Sequence, residues 1–119
     1  MAAAISSSFD ITYDGPLAAP GSATIANPGR AFRIVGITSY GVNTAVCKVG
    51  KNNVAGGLIG TATSTATDLG TEGVLLLANL ANATFTPSDD VVIDASVANV
   101  NRVIIHCVAT GGGQSLPVT

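Results

Sequence analysis

The sequence predicts an all-β protein, a two-sheet antiparallel sandwich of about eight strands preceded by an extended N-terminal arm. Three observations predict it. Apolar and polar residues alternate with a period of two in several stretches, which is the pattern of a strand with one face buried. The same stretches are rich in β-branched and aromatic residues, which suit a pleated, half-buried surface. Turn signals then recur at spacings of about 8 to 12 residues, as in a sandwich or barrel and unlike a βαβ fold.

The elements follow in order. Residues 1–30 are rich in Ala, Ser, Gly and Pro, and Pro16, Pro20 and Pro28 punctuate them. Within them Phe9-Asp10-Ile11-Thr12-Tyr13 alternates, which predicts a short strand near 9–13. The stretch from Gly15 to Gly29 reads as an extended arm or long loop, a length that is uncommon unless it is functional or covers something else. Residues 31–110 form the sandwich domain. Ala31 to Tyr40 carries Phe32, Ile34, Val35, Ile37, Thr38 and Tyr40 and reads as a long strand. Ala45, Cys47 and Val49 alternate with Val46 and Lys48 in a second strand, ending in the turn Gly50-Lys51-Asn52-Asn53. Leu58 to Thr65 follows Gly56-Gly57, with Thr61, Thr63 and Thr65 on one side.

A loop around Thr67-Asp68-Leu69-Gly70 leads to Val74-Leu75-Leu76-Leu77. Propensity favours a helix there, but Gly73 and Asn79 bound it tightly and strands surround it, so it is read as a strand. Ala83-Thr84-Phe85-Thr86 and the turn Pro87-Ser88-Asp89-Asp90 follow. Val91, Ile93, Ala95 and Val97 then share one face, and Asp94 and Ser96 the other. After a turn at Asn99-Val100-Asn101, Val103, Ile105, Cys107 and Ala109 alternate with Arg102, Ile104, His106 and Val108. Both faces are largely apolar there, as expected of a strand covered by the core on one side and a partner on the other. Residues 111–119 begin with three glycines and read as a flexible tail.

Composition narrows the function. The 119 residues suffice for one domain with a real core, and 47% are apolar. Only 10% are charged, far below the roughly 25% of an ordinary soluble domain. Two readings of that scarcity stand open. The protein works packed against neighbours, where desolvated charge is costly, or it is a neutral, Thr-rich monomer. Net charge is −2 with pI near 4.9, and Arg30, Arg33, Lys48, Lys51 and Arg102 are scattered. No basic patch for nucleic acid can be read. The apolar stretch from Val74 to Ala83 is shorter than the roughly 20 residues a bilayer requires. The N-terminus lacks the basic start and apolar core of a signal peptide, so residence in a cytosol is expected. In that compartment Cys47 and Cys107, each inside a strand-like run, are expected as buried free thiols.

The candidates for chemistry each have a plainer explanation. His106 is the sole histidine, and a catalytic histidine needs a nucleophile and an orienting carboxylate. Its neighbour Cys107 points to the opposite face of the strand, so His106 is read as a face residue without plausible partners. Asp89-Asp90 suits a turn better than a calcium site, which wants about six to eight oxygens. Gly56-Gly57-Leu58-Ile59-Gly60 lacks the lysine and following helix of a phosphate cradle. Asn82-Ala83-Thr84 matches a glycosylation sequon by accident if the chain is not secreted. Among the few aromatics, Phe32 and Phe85 are expected in the core, leaving Tyr40 and Tyr13 for any sugar platform. No catalytic residue, cofactor site or metal site is predicted.

The order of segments carries a resemblance. Ala31-Phe32-Arg33-Ile34-Val35-Gly36-Ile37, the Thr-rich Gly60-Thr61-Ala62-Thr63 through Asp68-Leu69, the run from Asn79 to Asp94, and Arg102 to Ala109 resemble head decoration (cement) proteins of tailed bacteriophages. The likeness is to small jelly-roll-like members from marine and cyanobacterial phages and covers about two-thirds of the chain, without residues 1–30 or the tail. It implies a homotrimer synthesised in the host cytoplasm that binds the outer surface of the head and bridges major capsid proteins. On that reading the arm reaches a neighbouring subunit, with Phe9, Ile11 and Tyr13 as its anchors. A carbohydrate-binding or host-attachment module of a virion, with a glycan as ligand, is the alternative. A small enzyme ranks last.

Overall fold

A computed structural model of the chain describes residues 8–27, 29–41, 44–64, 70–75 and 81–110. Ten strands are present among them: β1 (Ser8–Leu17), β2 (Gly21–Ile25), β3 (Phe32–Gly41), β4 (Val46–Lys51), β5 (Leu58–Thr63), β6 (Thr71–Glu72), β7 (Val74–Leu75), β8 (Thr84–Phe85), β9 (Val91–Val97) and β10 (Val100–Ala109). They form two antiparallel sheets. The first has the order β1-β10-β3-β6, with β8 also on β3, and the second the order β2-β9-β4-β5-β7.

The pairings are nested. The first strand pairs with the last (β1 with β10), the second with the last but one (β2 with β9), then β3 with β6 and β4 with β5. Contacts of β10 with β3 and of β9 with β4 roll this long hairpin into two layers. That is the topology of a jelly roll, a double-sheet fold of two Greek keys; β7 and β8 are short additions to it.

Period-two alternation places the core. Phe32, Ile34, Val103, Ile105 and Cys107 point inward from the first sheet, and Cys47, Val49, Val91, Ile93 and Ala95 from the second. Phe32 stacks on Phe85 with centroids 4.6 Å apart and planes 11° from parallel, and Phe9 meets Phe32 edge-on at 5.6 Å. Such ring pairs add about 0.5–1.5 kcal/mol beyond their buried area. The two-residue β8 is therefore held chiefly by where Phe85 lands.

Turns are fixed by side-chain amides. Asn27 bonds the Gly29 and Arg30 N–H groups through its Oδ1 and donates from Nδ2 to the Arg30 and Thr86 carbonyls. Asn52 donates to Asp89 and accepts from the Asp90 N–H. Asp89 also accepts from the Thr86 N–H, and this bond, followed by the one from Asn52, holds its carboxyl below the usual range. Among the described residues no group of three or more His, Cys, Asp or Glu is placed to hold a metal ion.

Three expectations need correction. The N-terminal segment is no arm over residues 8–25: the short strand expected near 9–13 extends over Ser8–Leu17, and the supposed loop contains β2. Phe9, Ile11 and Tyr13 are partly buried against the chain's own core. The prolines misled because Pro is tolerated on sheet edges. Pro16 sits at the register shift of edge strand β1, and Pro20 lies just before β2. Val97 leaves the core face it shares by alternation and is 50% exposed. A bulge between Val46/Val97 and Cys47/Ala95 inserts Ser96 and reverses the parity. Val100, read as a turn residue, is fully buried at the start of β10. The Thr67–Leu69 loop, Leu76-Leu77 and the glycine tail lie outside the described residues.

Candidate functional site

The outer face of the first sheet gathers much of the charge of a charge-poor chain, because β1, β10 and β3 lie side by side there. Register sets its rows. Asp14 lies across from Arg102, and Arg102 from Tyr40; Thr12, Ile104 and Thr38 form the next row; Asp10, His106 and Gly36 the third. On the far side of β3, Glu72 lies opposite Thr38. The closing strand β10 therefore shows solvent an alternation of Arg102, Ile104, His106 and Val108, flanked mainly by polar neighbours.

The expectation that His106 lacks partners is overturned. Its Nδ1 lies 3.0 Å from Asp10 Oδ1, and its Nε2 lies 2.9 Å from Thr38 Oγ1. An ionised carboxylate only accepts, so Nδ1 carries the proton, and in the neutral ring Nε2 accepts from the Thr38 hydroxyl. A bulge in β3 makes this possible. Ile34 pairs with Cys107 and Gly36 with His106, so Val35 is the inserted residue and stands 45% exposed. Gly36 then lies beneath the imidazole, where a Cβ would stand 3.2 Å from His106 Cδ2.

Carboxylate, imidazole and hydroxyl in this order are also the parts of a nucleophilic triad. The setting differs. The His106 and Asp10 side chains are 40% and 54% exposed, whereas an oxyanion is stabilised by donors in a water-excluded site. The adjoining depression, about 300 Å³, is lined by Val35, Gly36, Ile37, Thr38, Glu72, Gly73 and His106. Glu72 would set its charge against any developing oxyanion. The arrangement orients a ring on an open, solvated sheet face.

A larger depression of about 560 Å³ lies at the other end of the same face, lined by Asp14, Gly15, Tyr40, Asn101 and Arg102. Arg102 Nε donates to Asp14 Oδ1 at 2.7 Å, a solvated pair with both side chains more than half exposed. Gly15 keeps one wall close: a Cβ there would stand 2.7 Å from the Val100 carbonyl oxygen. Tyr40 is half-buried, and Gly70 passes over its hydroxyl end.

The remaining candidates serve the fold. Cys47 and Cys107 are free and buried, as expected. Burial pushes both thiols up to about 12 from 9.0, against a smaller opposing effect of the Ser39 hydroxyl at Cys47. Gly56 and Gly57 donate their N–H groups to Asn53 Oδ1, which explains the glycine cluster as a turn. Asn82 of the sequon donates to the Leu58 carbonyl. Arg30 lies over the Phe9 ring at 4.0 Å. The polar strip itself escaped the sequence because its members come from both ends of the chain: Asp10 and His106 are 96 positions apart. The alternation of both segments was the signal; the pairing of first strand with last was not.

By its fold the chain belongs to the class of jelly-roll β-sandwiches. No protein-family model matches it, and no curated protein or solved structure matches it either.

Proposed function

We propose that the chain is a structural protein of a virion, decorating the outer surface of a phage head by bridging major capsid proteins, with a trimer as the working unit. The observation that carries this reading is the outer face of the second sheet. Register lays Ser22, Asp94, Lys48, Thr61 and Val74 in one row across five strands, with Val97, Val46 and Thr63 beside it. Lys48 faces Asp94, and the rest of that row is neutral. Val74 and Val97 are exposed at 68% and 50%. Apart from Lys48 and Asp94, covering such a face costs little charge desolvation, and many weak copies add through multivalency on a repetitive shell.

Quantitative mass spectrometry of purified virions tests it. A fixed ratio of this chain to the major capsid protein is expected, and absence from virions overturns the reading. Val97→Asp, an exposed change, should weaken co-sedimentation with capsids while leaving the circular dichroism spectrum unaltered.

A second reading, a carbohydrate-binding or host-attachment module, is favoured by one observation. Tyr40 shares its depression with Asp14, Asn101 and Arg102, which sets an aromatic ring beside carboxylate, amide and guanidinium groups.

A further inference from the structure

We infer that the outer face of the first sheet binds a neutral oligosaccharide, with one hexopyranose seated in the Tyr40 depression through a vicinal diol and the glycan continuing along β10 toward His106. The inference rests on the second reading above and assigns it a place, a ligand class and a direction.

Four features set the ligand class. A sugar offers adjacent hydroxyls on its edge and C–H groups on its face. Asp14 supplies an acceptor, Asn101 both donor and acceptor, and Tyr40 an aromatic body. Among the described residues Arg102 bonds Asp14 through Nε, which leaves its other N–H donors to the ligand. Because Arg102 and Asp14 neutralise one another, the depression favours neither an anionic nor a cationic ligand. Their bond also gives the long Arg102 side chain a preferred orientation before a ligand arrives, which lowers the entropy lost on binding.

The direction follows from the strand. Side chains two apart on β10 share the outer face, so Arg102, Ile104 and His106 form a line about 13–14 Å long at roughly 3.4 Å per residue. Ile104 offers an apolar middle between Thr12 and Thr38, against which a sugar's C–H face can lie. At the far end, Thr38, His106 and Glu72 line the second depression, whose floor is open because residue 36 has no Cβ. His106 is already turned by Asp10 and Thr38, so a second subsite stands oriented there.

The experiment is a ¹⁵N–¹H NMR titration of the full chain with neutral methyl hexopyranosides, their trisaccharides, and hexuronic acids for comparison. Saturable shifts at Tyr40, Asn101 and Arg102 with a neutral sugar are expected. Asp14→Asn and Asn101→Ala should each weaken binding about tenfold, the loss of one good polar contact. Asp14 is solvated and Asn101 half-buried on the outer face, and the Asp14–Arg102 pair contributes little to stability, so the spectra should otherwise be preserved. His106→Ala should weaken the trisaccharide and leave the monosaccharide unchanged. Saturable sugar binding that ignores Asp14→Asn and Asn101→Ala, or that prefers the uronic acids, overturns this site while sparing the second reading. No saturable shift with any sugar, together with a blank glycan array, overturns both.

Discussion

At the scale of single residues, His106 departs furthest from what its sequence neighbours suggest. Held between Asp10 and Thr38, the neutral ring keeps its proton on Nδ1, whereas Nε2–H is the usual form of a free imidazole. Long-range ¹⁵N–¹H correlation spectra of the neutral ring should show the Nδ1–H pattern, and Asp10→Ala should shift it toward Nε2–H. The chain has one histidine, so the signal is unambiguous. The cysteines behave as their surroundings suggest. Below pH 9 the thiols are protonated in native and unfolded chains alike, and their contribution to stability is intact. Between 9.0 and about 12 the unfolded thiols ionise first, so stability falls as pH rises through that window. Denaturant melts at pH 8 and pH 10.5 should show the loss, and Cys47→Ala and Cys107→Ala together should reduce it. A thiol reagent at pH 8 should label neither cysteine until the chain unfolds. Both thiols were legible in the sequence because burial follows from alternation; the partners of His106 were not, because they lie on other strands.

At the scale of elements, the strands β3, β4, β5, β9 and β10 were legible from their period and composition, and their bulges were not. An alternating pattern names the two faces of a strand but does not say where one extra residue reverses them. Val97 shows the consequence: by pattern it joins Val91, Ile93 and Ala95, yet it points to solvent. Val97→Thr should therefore change stability by less than about 0.5 kcal/mol, as for an ordinary surface change. Ile93→Ala, four positions earlier, should cost about 2–5 kcal/mol, as for a buried aliphatic side chain. Urea melts of the two variants compare them directly. Equal costs would mean that Val97 lies in the core and that the bulge opposite Val46 is absent. In β3 the inserted Val35 has a further effect, since it brings Gly36 beneath His106 and leaves Thr38 on the same outer face.

At the scale of the whole molecule, the segment read as an arm closes the sandwich. β1 is an edge of the first sheet and β2 an edge of the second, and the chain crosses between the layers at residues 18–20. On the opposite side β6 and β7 make a second crossing, with Gly73 donating its N–H to the Ile37 carbonyl. Removing residues 1–28 would unpair the outer edges of β10 and β9 and expose the inward faces of Phe32 and Val103. The truncated chain should lose its cooperative thermal transition and aggregate, read by circular dichroism and light scattering. A soluble, cooperatively folding 29–119 fragment would instead restore the arm.

Residue order alone was enough to predict a sandwich, most of its core side chains and the burial of both cysteines. Those properties follow from local period, β propensity and turn chemistry, each read within a few residues. The tertiary structure alone decided the nested order of strands, the inclusion of residues 8–25 in the sheets, and the meeting of Asp10, Thr38 and His106. These depend on pairing between distant strands. Such pairing is chosen by the burial of a whole face and by where bulges reset the register, so no local pattern records it.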